Sequence, residues 1–233
     1  MRPRAHYGID GYPYLIGFTV GGLGALSISL LLGSRLGMAI AGLGAVALVP
    51  AALGAHYVAR GKFRHRDRVL DHVDWRGDEH VLDVGTGGGL LAIGAAKRAP
   101  RGRSVGIDIW DHGDLSGNTR ERMQRNARIE GVAERVGVHD DDARALSFAD
   151  RTFDVVVSML CLHNIEDEAG RTAALREIVR VLKPGGTVVI SDLGGLDAYA
   201  ATLHDLGLSV AVGPMVWSTF PPQRVLVGRR ANG

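Results

Sequence analysis

A run of glycines, several acidic side chains and one histidine are spaced so that together they could hold and process a ligand. Asp83 stands two residues ahead of Gly85, and Gly87 and Gly89 follow at alternate positions, with Thr86 inside the run. Glycine has no Cβ, so a ligand can approach this backbone closely and φ > 0 is open where a turn needs it. Asp108 follows at the spacing of one βαβ unit, where a carboxylate can accept hydrogen bonds from both hydroxyls of a ribose. Ile109 comes next, and Asp141-Asp142-Ala143 and Ser158 occupy equivalent points further on. His163 is the candidate general base, with Asp192 as a second candidate. Asp140, Asp141 and Asp142 are adjacent carboxylates, but no His or Cys set at ligand spacing joins them, and no metal is expected.

These residues need strands and helices to bring them together, and the hydrophobic pattern supplies them in alternation. Val81, Leu82 and Val84 read as a buried strand, the glycines as a tight turn, and Leu90–Arg98 as a helix whose first N–H groups face the same space. Ser104–Ile109 is a second strand and Trp110–Gly117 a polar loop. Asn118–Glu130 is a helix with Met123, Ala127 and Ile129 inward and Arg122, Arg125 and Arg128 outward. Val136–Val138 and the apolar run Phe153–Ser158 are further strands; the second suits the middle of a parallel sheet. Its far end, through His163 and Asn164, falls at the carboxyl edge where open α/β sheets bind ligands. Ala169–Leu182 reads as a helix stopped by Lys183-Pro184-Gly185-Gly186, and Thr187–Asp192 as the fifth strand. The tail reads as a helix at Asp197–Leu206 and strands at Leu208–Val212 and Arg224–Val227.

Two cofactor classes use a strand, glycine turn and helix. A dinucleotide fold would want a third small residue where Leu90 stands, which fits poorly. Asp-x-Gly-x-Gly-x-Gly through Asp83, Gly85, Gly87 and Gly89 resembles instead the first motif of the Rossmann-like S-adenosylmethionine-dependent methyltransferases. Asp108, the Asp-Ala pair, Phe153-Asp154-Val155-Val156 and Leu182-Lys183-Pro184-Gly185-Gly186 follow in that family's order, so the resemblance covers roughly residues 76–192. It implies a doubly wound seven-stranded sheet with an antiparallel edge hairpin and S-adenosylmethionine as cofactor. It also implies ribose on Asp108 and adenine beside Ile109 and Asp142. Asp141 stands where glycine is usual, which leaves Asp141 and Asp142 both open as the adenine contact. Two other readings compete: a reductase with a dinucleotide cofactor, and a non-catalytic membrane protein that only binds S-adenosylmethionine.

The front of the 233-residue chain is different in kind, and it lifts the mean hydropathy to +0.08. Tyr14–Leu32 and Leu36–Ala55 carry no charge, and each approaches the ~20 residues that span a bilayer. Gly33-Ser34-Arg35 is the polar break between them, so a transmembrane helical hairpin is expected over residues 1–59, ahead of a methyltransferase domain at 60–233. Gly17, Gly21, Ala25, Ser29 and Gly33, with Gly37, Ala41 and Ala45, predict strips of small residues along which membrane helices approach, within the hairpin or between copies. Pro50 is tolerable in such a helix. A signal peptide fits less well, because there are two apolar segments and no cleavage site ahead of the second.

Charge sets the orientation. Arg2 and Arg4 precede the hairpin and Arg60, Lys62, Arg64, Arg66 and Arg68 follow it, against Arg35 alone in the turn, so both ends should be cytoplasmic. Residues 1–68 carry eight basic and two acidic side chains; of totals of 27 and 25, the remainder keeps 19 and 23. An acidic catalytic portion argues against a nucleic-acid partner, whereas the basic cluster suits anionic head groups. The single cysteine, Cys161, excludes an intrachain disulfide. Phe63–Val73 reads as a short amphipathic helix leading into the domain. No inserted cap is available to cover a substrate, so the expected acceptor is small or lipid-like and lipophilic. It would reach a pocket mouth rimmed by Arg60–Arg68, Trp217 and Phe220 from the cytoplasmic leaflet. On this reading, deleting residues 1–58 spares cofactor binding.

Overall fold

The two uncharged segments become two long helices, α1 (Tyr12–Leu32) and α2 (Arg35–His56), in a computed structural model that describes residues 4–32, 34–111 and 115–232. Arg2, Gly33 and residues 112–114 of the polar loop lie outside the described residues. Ser34 caps α2, its hydroxyl accepting from the Gly37 N–H. At ~1.5 Å per residue each helix is about 30 Å long, and both are long and apolar enough, by length and composition, to cross a membrane. Leu30 and Leu31 are 85% and 87% exposed, as expected of side chains that face no protein.

The helix contact departs from the predicted strips. A Cβ on Gly44 would lie 2.8 Å from the Gly22 carbonyl oxygen, and one on Gly37 2.8 Å from that of Ser29, whereas Gly17 and Gly21 have nothing within 4 Å. A four-residue repeat drifts around a 3.6-residue helix, so the seam leaves Gly17 and Gly21 and runs through Gly22, Ala25, Leu26 and Ser29. Ala45 is exposed.

No loop separates the hairpin from the rest. A π-helical turn, Tyr57–Gly61, joins α2 to α3 (Lys62–Leu70), and one helix runs from Arg35 to Leu70. The amphipathic segment expected at Phe63–Val73 is its last part. A buried chain of hydrogen bonds docks this end. His65 Nε2 lies 2.7 Å from Ser191 Oγ, Ser191 Oγ donates to Gln223 Oε1 (2.9 Å), and Gln223 Nε2 donates to Tyr57 Oη (3.2 Å). Burial pushes the His65 imidazole down to about 4, so it stays neutral at this junction.

The remaining residues form β1 (His80–Val84), α4 (Leu90–Arg98), β2 (Arg103–Asp108), α5 (Arg120–Ile129), β3 (Val136–Asp140), β4 (Phe153–Met159), α6 (Glu168–Val181), β5 (Leu182–Asp192), α7 (Leu196–Asp205), β6 (Leu208–Val212) and β7 (Arg224–Arg230). The strands make one sheet in the order β3-β2-β1-β4-β5-β7-β6, with β7 antiparallel to both its neighbours and the rest parallel. Side chains alternate between faces: Val81, Val155 and Val189 pack with Leu70 of α3 and Leu91 of α4, while Leu82, Val156 and Val188 pack with Ile178 of α6 and Leu203 of α7. β5 begins earlier than its pattern predicts, because Leu182 pairs with Phe153 and draws the Lys-Pro-Gly-Gly segment into the strand. In α5 the third inward residue is Asn126, not Ile129, for a reason seen at the site.

Candidate active site

β1 pairs with β2 on one side and β4 on the other, so chain order reverses there and a crevice opens beyond the carboxyl ends of these strands. The glycine turn fills that point. Gly85 has φ +73°, and a Cβ on it would strike the Cys161 side chain, so only glycine lets the turn lie this close to the end of β4. Asp83 is buried beneath the turn and braces it: its Oδ2 accepts from Thr86 Oγ1 (2.7 Å) and from the Ala92 N–H (2.9 Å). Desolvation raises its carboxyl to about 7 despite these donors. Burial likewise pushes the Cys161 thiol up, away from nucleophilic use.

A cleft of about 680 Å³ runs from this turn across the ends of the strands. Asp108 lies on its wall, where Oδ2 accepts from the Gly87 N–H (2.8 Å) and Oδ1 from the Trp110 N–H (2.7 Å) and Asn118 Nδ2 (3.2 Å). Ile109, Asp141, Asp142 and Ala143 line the same end. Asp141 Oδ2 accepts from the backbone N–H and hydroxyl of Ser147, and Asp142 is paired with Arg144 (2.6 Å), which holds its carboxyl below the usual range. Asp140 turns away, to Trp110 Nε1 and Arg120. The three adjacent carboxylates thus diverge, and among the described residues no His, Cys, Asp and Glu group could hold a metal ion.

Two predicted contacts fall outside the cleft. Ser158 is buried and donates to the Val84 carbonyl (2.9 Å), tying β4 to β1 beneath the turn instead of facing a ligand. Gly89 has φ +85°, caps α4, and faces Met123 and Ile93, so it serves helix packing. Gly85, Thr86 and Gly87 do line the cleft, together with Gly88.

His163 sits in a short turn after β4, on the cleft wall. Asp192 ends β5, is fully buried, and accepts from the His163 backbone N–H (3.1 Å) and from Nδ1 (2.5 Å). A carboxylate only accepts, so the proton lies on Nδ1 and Nε2 is the basic nitrogen. The two residues expected separately as candidate bases form one hydrogen-bonded pair, in which Asp192 fixes the His163 ring.

What sequence reasoning missed is the strap formed by residues 5–11. The Tyr7 backbone passes so close over Gly88 that a Cβ there would lie 2.9 Å from the Tyr7 Cα. Asn126 bonds the strap at His6 N and O and bonds the Gly88 carbonyl, which explains its inward place on α5. Ile9 pairs with Ser116, and Asp10 bridges Leu115. No local signal marks this strap, since its partners lie from 54 to 123 residues away. It weighs against the expectation that deleting residues 1–58 spares cofactor binding, because part of the wall beside the glycine turn would leave with them. Of the basic cluster only Lys62 lines the cleft; Arg60, Arg64 and Arg68 point outward. Phe220 lines the cleft with Tyr14, Leu15 and Phe18 of α1, but Trp217 does not.

Comparison with known proteins agrees with this geometry. Residues 81–186 match the family model described as a methyltransferase domain. The chain is 34% identical over 152 residues to aclacinomycin 10-hydroxylase RdmB of Streptomyces purpurascens, covering 63% of this chain and 38% of that one. It is 34% identical over 135 residues to the demethylmenaquinone methyltransferase of Lactiplantibacillus plantarum, covering 57% and 53%. The chain therefore spans about half, or less, of the length of these relatives. The solved structure of an S-adenosylmethionine-dependent methyltransferase from Aquifex aeolicus superposes with TM-score 0.56 at 20% identity, covering 70% of this chain and 88% of that one, and shares the fold. Residues 81–186, which hold the glycine turn and the central strands, thus match a methyltransferase domain, and the sheet has the fold of solved S-adenosylmethionine-dependent methyltransferases.

Proposed function

We propose that the protein is a membrane-anchored S-adenosylmethionine-dependent methyltransferase whose acceptor is a small lipophilic molecule. Division into a membrane hairpin (1–59) and a catalytic domain (60–233) on the cytoplasmic side is part of this reading. The observation that carries it is the shared lining of one cleft, which takes in the glycine turn and also Phe220 with Tyr14, Leu15 and Phe18 of the first membrane-length helix. The residues present fit the cofactor. Asn118 Oδ1 is buried beside Asp108 with no partner, an acceptor left for a ligand, and acidic side chains suit a cationic sulfonium. Asp108 would hold the ribose, and Asp141, Asp142 and Ala143 the adenine. When bound, S-adenosylmethionine supplies an activated methyl group.

The protein's own part is alignment and proton removal. His163 Nε2 takes a proton from an acceptor hydroxyl, and Asp192 stabilises the imidazolium that forms. The apolar mouth excludes water from the reacting groups. A relative named for demethylmenaquinone supports an aromatic, quinol-like acceptor. Methylation of membrane extracts with labelled donor tests the proposal: the label should enter an organic-soluble product. Label confined to water-soluble products would refute the lipophilic acceptor.

A further inference from the structure

Lys62 and Asp10 are charged groups in the cleft wall that neither the cofactor motifs nor the His163–Asp192 pair uses. They come from the segments that flank the two long helices, Asp10 just before α1 and Lys62 just after the π-helical turn. Lys62 is only 3% exposed, and its Nζ donates to the Gly8 carbonyl (2.5 Å), which places it over the strap. Desolvation pulls its ammonium down and Asp10 draws it back up, while burial raises Asp10. The other lysine and arginine side chain on the described wall, Arg144, is committed to Asp142 at the adenine end.

Helix register says which end of the cleft Lys62 serves. Lys62 and His65 are three residues apart and share a face of α3. His65 bonds Ser191, and the next residue, Asp192, holds His163. The Lys62 backbone therefore stands one helical turn from the residue that bonds the end of β5, and its ammonium reaches from there to the strap at Gly8. Ile109 and Asp141–Ala143 follow β2 and β3, two and three strands from β4 and beyond in the sheet order. The same cleft that Lys62 and His163 line has apolar wall residues, including Leu160, Leu193 and Phe220.

We propose that Lys62 is a specificity residue of the acceptor site: its ammonium binds an acidic oxygen of the acceptor, of the phenol or enol class, and favours the ionised form. The inference rests on the methyltransferase reading and narrows its substrate class. An oxygen that must lose a proton before methylation gains from a nearby cation, and burial strengthens that attraction. The Asp10 carboxyl opposes the desolvation that pulls this ammonium down.

The test uses the full chain in nanodiscs, saturated with S-adenosylhomocysteine, with an alkylated 4-nitrophenol as optical probe of ionisation. The bound phenol should titrate about one unit lower than in empty nanodiscs, as expected for an opposite charge within contact range. Lys62→Arg should keep the shift and Lys62→Met should lose it, each measured with the protein saturated by S-adenosylhomocysteine. An unshifted titration in the wild-type protein overturns the proposal without recourse to any variant. So does a Lys62→Met protein that loses S-adenosylhomocysteine affinity but keeps the phenol shift, since the ammonium would then serve the cofactor's carboxylate. Failure of the wild-type protein to bind S-adenosylhomocysteine at all would instead strike the methyltransferase reading itself.

Discussion

Replacing Asp192 by Asn isolates the proton chemistry from the rest of the fold. Asp192 accepts three hydrogen bonds, from the N–H groups of His163 and Leu193 and from His163 Nδ1. An amide whose oxygen still accepts the His163 N–H turns its NH2 group to the imidazole as a donor, and the Leu193 N–H loses its acceptor. The ring then keeps its proton on Nε2, the nitrogen that must be basic. Where a buried carboxylate orients a catalytic histidine, the amide substitution costs up to about 10⁴ in turnover, and general-base catalysis alone is worth ~10²–10⁴. We expect turnover to fall at least ~10²-fold, about 2.7 kcal/mol in the barrier. Loss of the charged hydrogen bond should lower stability by ~1.5–3 kcal/mol. Asp192 is not among the residues lining the cleft, so calorimetric affinity for S-adenosylhomocysteine should not move. Single-turnover methylation of an accepted quinol, measured beside His163→Ala and the double variant, provides the assay. The two single effects should not add, because both remove one base. Near-normal turnover in Asp192→Asn would refute the pairing, and additive losses would show that the residues act separately.

Other expectations follow from the same geometry. Asp108→Ala should weaken S-adenosylhomocysteine binding by a few kcal/mol, the scale of a lost charged hydrogen-bond pair; unchanged calorimetry would remove Asp108 from the cofactor site. Asp83 has its folded pKa raised to about 7 by burial, so the stability it contributes is full below its unfolded value and is lost as pH rises through about 7. Asp83→Asn should therefore gain stability relative to the wild-type protein between pH ~4 and ~7, and thermal melts showing a flat difference would contradict the assignment. Deleting residues 1–58 removes Tyr7 from over Gly88 and should weaken S-adenosylhomocysteine binding as well as activity on acceptor in vesicles; full affinity in the truncated protein would show that the strap adds nothing.

Much of this molecule was legible in the chain because the relevant physics is local. Apolar alternation and length place β1, β4 and the two long helices, and the glycine spacing calls for a turn that only glycine tolerates. Asp108 is legible because one βαβ unit fixes where the second strand ends. Other features depend on residues far apart in sequence. Ser158 and Gly89 carry a ligand-binding pattern, yet pairing of β4 with β1 and packing of α4 on Met123 turn them away from the cleft. The seam of the hairpin depended on rotation about two helix axes, which a repeat of small residues does not specify. His163 and Asp192 read as rival bases until adjacent strand ends brought their side chains to 2.5 Å. The strap and Lys62 belong to no motif: a buried ammonium is recognised only once tertiary folding brings Gly8 and Asp10 to it and closes water out.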